Sequence, residues 1–261
     1  MRNRLWLLGT LPLAMAGSLL VCGSAASGQV GEVAAKPEPP SAKRADVALV
    51  ESDLKPLTPD RTLCIDRKRK LVVIEGVVCL REGQLEMFAC PKGSKEHESV
   101  VAVHCKPQYV HAALLAIGAT KGHPVQFDPE YKPASGTRID IDILWQDKEG
   151  KKQRVRAQEW IRHARTEKPM PHHWVFAGSG FEMDGHTGQR YYWADGGDFI
   201  CVSNFSTATL DLPVESTQGN AELLFSAFTE HIPAIGTKLR LVLIPRFEKD
   251  NKKPAAGDDA S

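Results

Sequence analysis

Between Gly83 and Ser99 the chain carries two spaced carboxylates, Glu86 and Glu98, with Cys90, Lys95 and His97 between them, and His111 follows shortly after. Two carboxyl groups held roughly 5–9 Å apart across an open cleft can do acid–base work. Thiolate, imidazole and carboxylate are also the usual ligands of transition metals. The candidate polar site is therefore Glu86, Lys95, His97, Glu98 and His111, and the candidate metal ligands are Cys90, His97 and His111. His104 does not join them. It lies seven residues from His97 in an expected strand, and an odd separation puts the two side chains on opposite faces. The structural reading of the same residues is simpler. His97 and Glu98 then fix the turn between two strands, and His111 sits on a helix face bonded to a carbonyl. No cofactor is expected, and a transition metal on Cys90, His97 and His111 is the alternative.

Three other patterns fall short of known chemistry. Ser179 sits directly between Gly178 and Gly180, whereas a nucleophile elbow needs Gly-x-Ser-x-Gly on a strand-to-helix turn. Asp184-Gly185-His186-x-Gly188 and Asp195-Gly-Gly-Asp198 cluster oxygens, but not at the spacing of a calcium loop, and Asp-Gly pairs ordinarily build tight turns. No pair of cysteines has the close spacing of an iron–sulfur cluster or a zinc ribbon, so no Fe–S centre is expected.

These residues must be positioned by a strand-rich chain. Leu63 to Asp66, Leu71 to Leu80, Leu85 to Cys90 and Glu98 to Cys105 read as a meander of antiparallel strands separated by turns. Pro107 then opens a helix that buries Val110, Ala113, Leu114 and Ile117 and ends at Gly118. From Thr137 to Trp145 the chain alternates with period two, Ile139, Ile141 and Ile143 against Arg138, Asp140 and Asp142. Lys152 to Arg156 follows as a strand, and a short helix is expected over Gln158 to Arg165. Trp174 to Phe181, Tyr191 to Ala194, Phe199 to Ser203, Leu223 to Thr229 and Lys238 to Ile244 complete the strands. The expected fold class is α+β, a predominantly antiparallel β-sheet with one or two packed helices.

The ends differ from this body. Arg2 and Arg4, the uncharged run Leu5 to Val21 and the small residues Ser24-Ala25-Ala26 make residues 1–26 a secretory signal. Cys22 would be a lipid site, but Val21 precedes it where a lipobox has a small residue; membrane attachment is expected only if Cys22 is lipidated. Residues 27–55, rich in Ala, Pro and charge, read as a disordered linker, 56–247 as the domain and 248–261 as a disordered tail. Cleavage removes one of the six cysteines and leaves Cys64, Cys79, Cys90, Cys105 and Cys201, an odd number, so at least one thiol stays free or pairs between chains. The formal charge of +1 gives no field for nucleic acid.

As a set, several segments resemble the YdjY domain family: Glu86, Lys95-x-His97-Glu98-Ser99, the helix from His111 to Gly118, Trp174-Val-Phe-Ala-Gly-Ser179, Gly197-Asp198-x-Ile200-x-Val202-Ser203-Asn204-Phe205, Leu210-Asp211-Leu212-Pro213 and Ile232-Pro233-x-x-Gly236-Thr237. The similarity runs from about Pro56 to Pro245 and is strongest to long secreted, planctomycete-type members. It implies a bacterial envelope protein, periplasmic or secreted, and implies location and fold more than activity. Each catalytic pattern tested above fails its spacing. The expected function is thus a non-catalytic domain that binds an envelope protein, a polymer or a small ligand. The alternative is a metal-dependent or redox enzyme using Cys90, His97, Glu98 and His111.

Overall fold

A computed structural model of the chain describes residues 49–183, 185–217, 219 and 224–247. The expected signal peptide at 1–26, the expected linker up to 48 and the expected tail at 248–261 lie outside the described residues. The strands are β1 (Lys55–Pro56), β2 (Leu63–Asp66), β3 (Leu71–Val78), β4 (Gln84–Leu85), β5 (Met87–Pro91), β6 (Ser99–Val103), β7 (Arg138–Gln146), β8 (Lys152–Arg156), β9 (Ile161–His163), β10 (Trp174–Phe176), β11 (Phe181–Met183), β12 (Arg190–Tyr192), β13 (Ile200–Cys201), β14 (Leu210–Asp211), β15 (Phe225–Ala227) and β16 (Lys238–Pro245). The α-helix α1 is Pro107–Ala116.

Period-two alternation builds the frame. Ile139, Ile141 and Ile143 of β7 and Leu239, Leu241 and Leu243 of β16 are buried to 2% exposure or less. The two strands pair antiparallel from Leu239↔Trp145 to Pro245↔Ile139, and β16 pairs on its other side with β3. The sheet continues from β7 through β10, β14, β13 and β5 to β6. β6 then pairs back onto β3 through Gly76↔Val103, Val77↔Ala102 and Val78↔Val101. That last pairing closes eight strands into a barrel.

The closed barrel corrects the α+β expectation. Among the described residues the protein is mostly β, with one short α-helix, and is not a sheet with helices packed on it. β3 does the closing because it is long enough to change partners. Leu71 to Ile74 pair with β2, and Gly76 to Val78 pair with β6. Gly76 marks this seam, since a Cβ there would lie 3.0 Å from the Ala102 carbonyl oxygen. Side chains fill an eight-stranded barrel, and here Trp174, Phe176, Phe88, Leu210 and Ile200 join the same core cluster.

Two local expectations also change. β5 and β6 run parallel, Met87 opposite Ser99, and are not successive strands of a meander. Residues 158–165 are not a helix: a 3-10 turn over Ala157–Trp160 leads into β9, which pairs with β15. α1 forms where expected, with Val110, Ala113, Leu114 and Ile117 in the main core. Its first turn lacks a side-chain cap at Lys106, and Asp195 Oδ1 accepts the Gln108 N–H at 3.1 Å instead. Residues 49–55, read as the end of the linker, pack on the barrel. Leu49 and Leu54 cover an outer cluster of Cys64, Leu71, Val73, Val242 and Ile244.

Candidate functional site

The parallel register makes the site. Met87 and Ser99 are the first paired residues of β5 and β6, so Glu86 and Glu98, each one residue earlier, are neighbours. The Glu86 N–H donates to the Glu98 carbonyl at 3.2 Å. The Glu86 carbonyl in turn accepts the N–H groups of Val202 at 2.9 Å and Ser203 at 3.0 Å, which ties the pair to the segment after β13. To reach the start of β6, the chain must return along β5, and this return over 92–98 carries Lys95 back over the two carboxyls.

Lys95 is the centre of the cluster. Its Nζ lies 3.0 Å from Asp198 Oδ1 and 3.5 Å from Glu98 Oε1, and 4.9 Å from the centroid of the Phe205 ring. Its stem rests on Gly197, where a Cβ would be 2.6 Å from Lys95 Cδ. Gly197 has φ +144°, so a side chain there would be strained as well as in the way. The second carboxylate oxygen of Asp198 accepts the Thr207 hydroxyl. Side-chain exposure is 29% at Lys95, 20% at Glu98 and 17% at Asp198, so the cluster reaches solvent without being bathed in it.

The electrostatics follow from this crowding. Burial, then the charge of Glu98 and a hydrogen bond between the two carboxyls, push the Glu86 pKa up, against the pull of Lys95. Burial alone would lower the Lys95 pKa, but the Asp198 hydrogen bond and charge, with Glu98 and Glu86, outweigh it and hold the ammonium above its ordinary value. The unit is a carboxyl pair, in which Glu98 makes Glu86 harder to ionise, beside a fixed ammonium and a third acid.

The other candidates lie apart. His97 points outward at 77% exposure, its Nε2 3.9 Å from Glu98 Oε1. Cys90 is buried, and burial raises its pKa. Burial pushes the thiols of Cys79 and Cys105 up to about 12, so these are protonated thiols at neutral pH. His111 belongs to a separate buried network. Its Nδ1 lies 2.9 Å from the Tyr192 hydroxyl, which is 3.1 Å from both the Gly178 carbonyl oxygen and Thr209 Oγ1. Phe176 and Tyr192 meet its ring edge-on, and burial, then Lys121, lowers its pKa. Among the described residues, no three His, Cys, Asp or Glu side chains converge as ligands for a metal ion.

The remaining motifs resolve as structure. Ser179 has φ +46° and donates its hydroxyl to the Thr207 carbonyl at 2.6 Å. Asp195 caps α1 while Asp198 serves Lys95, so the two acids of that Gly-rich turn have different partners; Asp184 lies outside the described residues. Asp198, Phe205 and Thr207 were not recognised in the sequence as partners of Lys95. The available signal was Gly197-Asp198, a glycine that admits a side chain over it next to an acid. A cavity of about 1080 Å³ near Trp145, Pro233 and Leu49 shares no residue with the cluster. Among its charged lining residues, Glu51 and Glu75 both pair with Arg240.

In comparison with known proteins, the family model of the YdjY domain matches residues 63–244. No curated protein and no solved structure matches the chain.

Proposed function

Since the chain belongs to the YdjY domain family, we propose that it is an exported envelope protein whose barrel carries a non-catalytic binding site at Glu86, Lys95, Glu98 and Asp198. One observation carries the binding reading. A single ammonium stands among three carboxyls at a partly open surface, and even with one proton shared between Glu86 and Glu98 a negative charge is left over. Such a site attracts amino or hydroxyl groups of a ligand, while Lys95 holds the carboxylates in place. The barrel interior is filled by core side chains, and the charged cluster stands at its partly exposed edge.

Export rests on Arg2, Arg4, the run Leu5 to Val21 and Ser24-Ala25-Ala26. The mature N-terminus is expected near Ser27; a mature chain that keeps Leu5 to Val21, or one that starts at a lipidated Cys22, contradicts soluble export.

Binding is tested by co-sedimentation with purified cell-envelope polymers. The parent is expected in the pellet, and Lys95→Met and Asp198→Asn in the supernatant with unchanged far-UV spectra. Both variants pelleting like the parent would remove the cluster from recognition. A second reading, acid–base chemistry, is favoured by the raised Glu86 pKa. Glu86→Gln separates the two, because it keeps the shape and loses the proton. Ligand bound but no longer converted would favour catalysis.

A further inference from the structure

β11 and β12 form a two-stranded ribbon outside the barrel sheet. Glu182 stands opposite Tyr191, and Met183 opposite Arg190. Because alternate residues share a face, Glu182 and Tyr191 look one way and Phe181, Met183 and Arg190 the other. Glu182 Oε2 accepts the Tyr191 hydroxyl at 2.5 Å and the Trp193 indole N–H at 3.0 Å. Those bonds hold the carboxyl below its ordinary pKa and fix both rings around it. Tyr191 is 46% exposed and Trp193 37%. The Trp193 ring is backed by Gly180, where a Cβ would be 2.4 Å from Cζ3.

With the polar ends of both rings bonded to Glu182, what the two partly exposed rings offer a ligand is aromatic, apolar surface. Glu182 Oε1 beside it has no hydrogen-bond partner among the described residues. A fitting ligand has an apolar flat face and hydroxyl donors on its edge, which describes a pyranose ring. Size decides against a protein partner. Two paired strands of three residues, about 10 Å long and about 5 Å apart, offer a face of roughly 100 Å² even with side chains overhanging it, far short of the roughly 800 Å² that each side of a stable protein interface buries. Trp193 and Asp198 are five residues apart, at most about 18 Å along the chain. One oligosaccharide can therefore span the ribbon and the Lys95 cluster.

We propose that the Tyr191–Glu182–Trp193 face is a stacking subsite for a neutral hexopyranose polymer. The proposal deepens the binding reading and rests on it for the remainder of the ligand. The test is intrinsic fluorescence and affinity electrophoresis of the purified protein with cellohexaose and the N-acetylglucosamine hexamer. One or both should bind. Tyr191→Ala and Trp193→Ala should each weaken binding about tenfold, while Phe181→Ala on the opposite face leaves it unchanged. Tyr191→Phe, which keeps the ring and drops its bond to Glu182, guards against a folding artefact and should lose less than Tyr191→Ala. The proposal fails if neither hexamer binds, or if Tyr191→Ala and Trp193→Ala bind like the parent. It also fails if Trp193→Ala merely dissociates a dimer, because the face is then a contact between copies. Loss in the ribbon variants with binding intact in Lys95→Met upholds the ribbon and overturns the cluster; the converse overturns the ribbon alone.

Discussion

Glu86 is costly to ionise where it stands, and that cost has a sign that can be measured. Its pKa in the folded protein is raised above the ordinary 4.5, first by burial and then by Glu98. As pH climbs past that value the unfolded chain releases its proton first, so stability falls with rising pH until the folded group ionises too. Glu86→Gln removes this loss. Its melting temperature relative to the parent is expected to rise between pH 4 and pH 7; a constant difference would mean that Glu86 titrates normally. His97 behaves in the opposite manner. With its side chain 77% exposed, His97→Ala should change stability by no more than about 0.5 kcal/mol. Chelator should leave the melting points of parent and variant alike. A parent that chelator destabilises, beside an indifferent His97→Ala, would restore the metal reading of Cys90, His97 and His111.

The barrel depends on one change of partner within β3. Gly76 sits at the seam with the Ala102 carbonyl oxygen at 3.0 Å and Val101 Cγ1 at 3.1 Å from a would-be Cβ. Gly76→Val must therefore push β6 away from β3, and urea unfolding should show a loss of about 1–3 kcal/mol; parent-like stability would mean that the seam is loose. Elements with local signals were legible in the sequence. β2 and β8 match their expected spans, and α1 shows its Pro107 start and apolar face. Pairing was not legible. β9 looked helical because its partner β15 lies more than sixty residues away. The parallel pairing of β5 and β6 depends on the return over 92–98, which local periodicity does not report. The site suffered the same fate. Glu86, Lys95 and Glu98 were singled out by residue type, whereas Asp198 reaches Lys95 only through the fold, and His111 leaves the group because α1 turns it toward Tyr192.

For the whole molecule, a filled barrel serves as a rigid frame and places its chemistry on the rim. Its thiols suit that role. Cys64, Cys79, Cys90, Cys105 and Cys201 are all free, and β6 lies between the strands that lead to Cys79 and Cys90. Unfolded, unreduced protein cleaved before Ser27 should titrate five thiols, and folded protein far fewer at early times; a count of three or one would reveal disulfides that this fold does not contain. The account turns on Glu86, Lys95, Glu98 and Asp198 acting as one electrostatic unit. Its most direct test is an NMR titration of the Glu86 side-chain carboxyl in the parent and in Glu98→Gln. The account predicts a midpoint above 4.5 in the parent that falls when the Glu98 charge is removed. An ordinary midpoint in the parent, unmoved by Glu98→Gln, would contradict it.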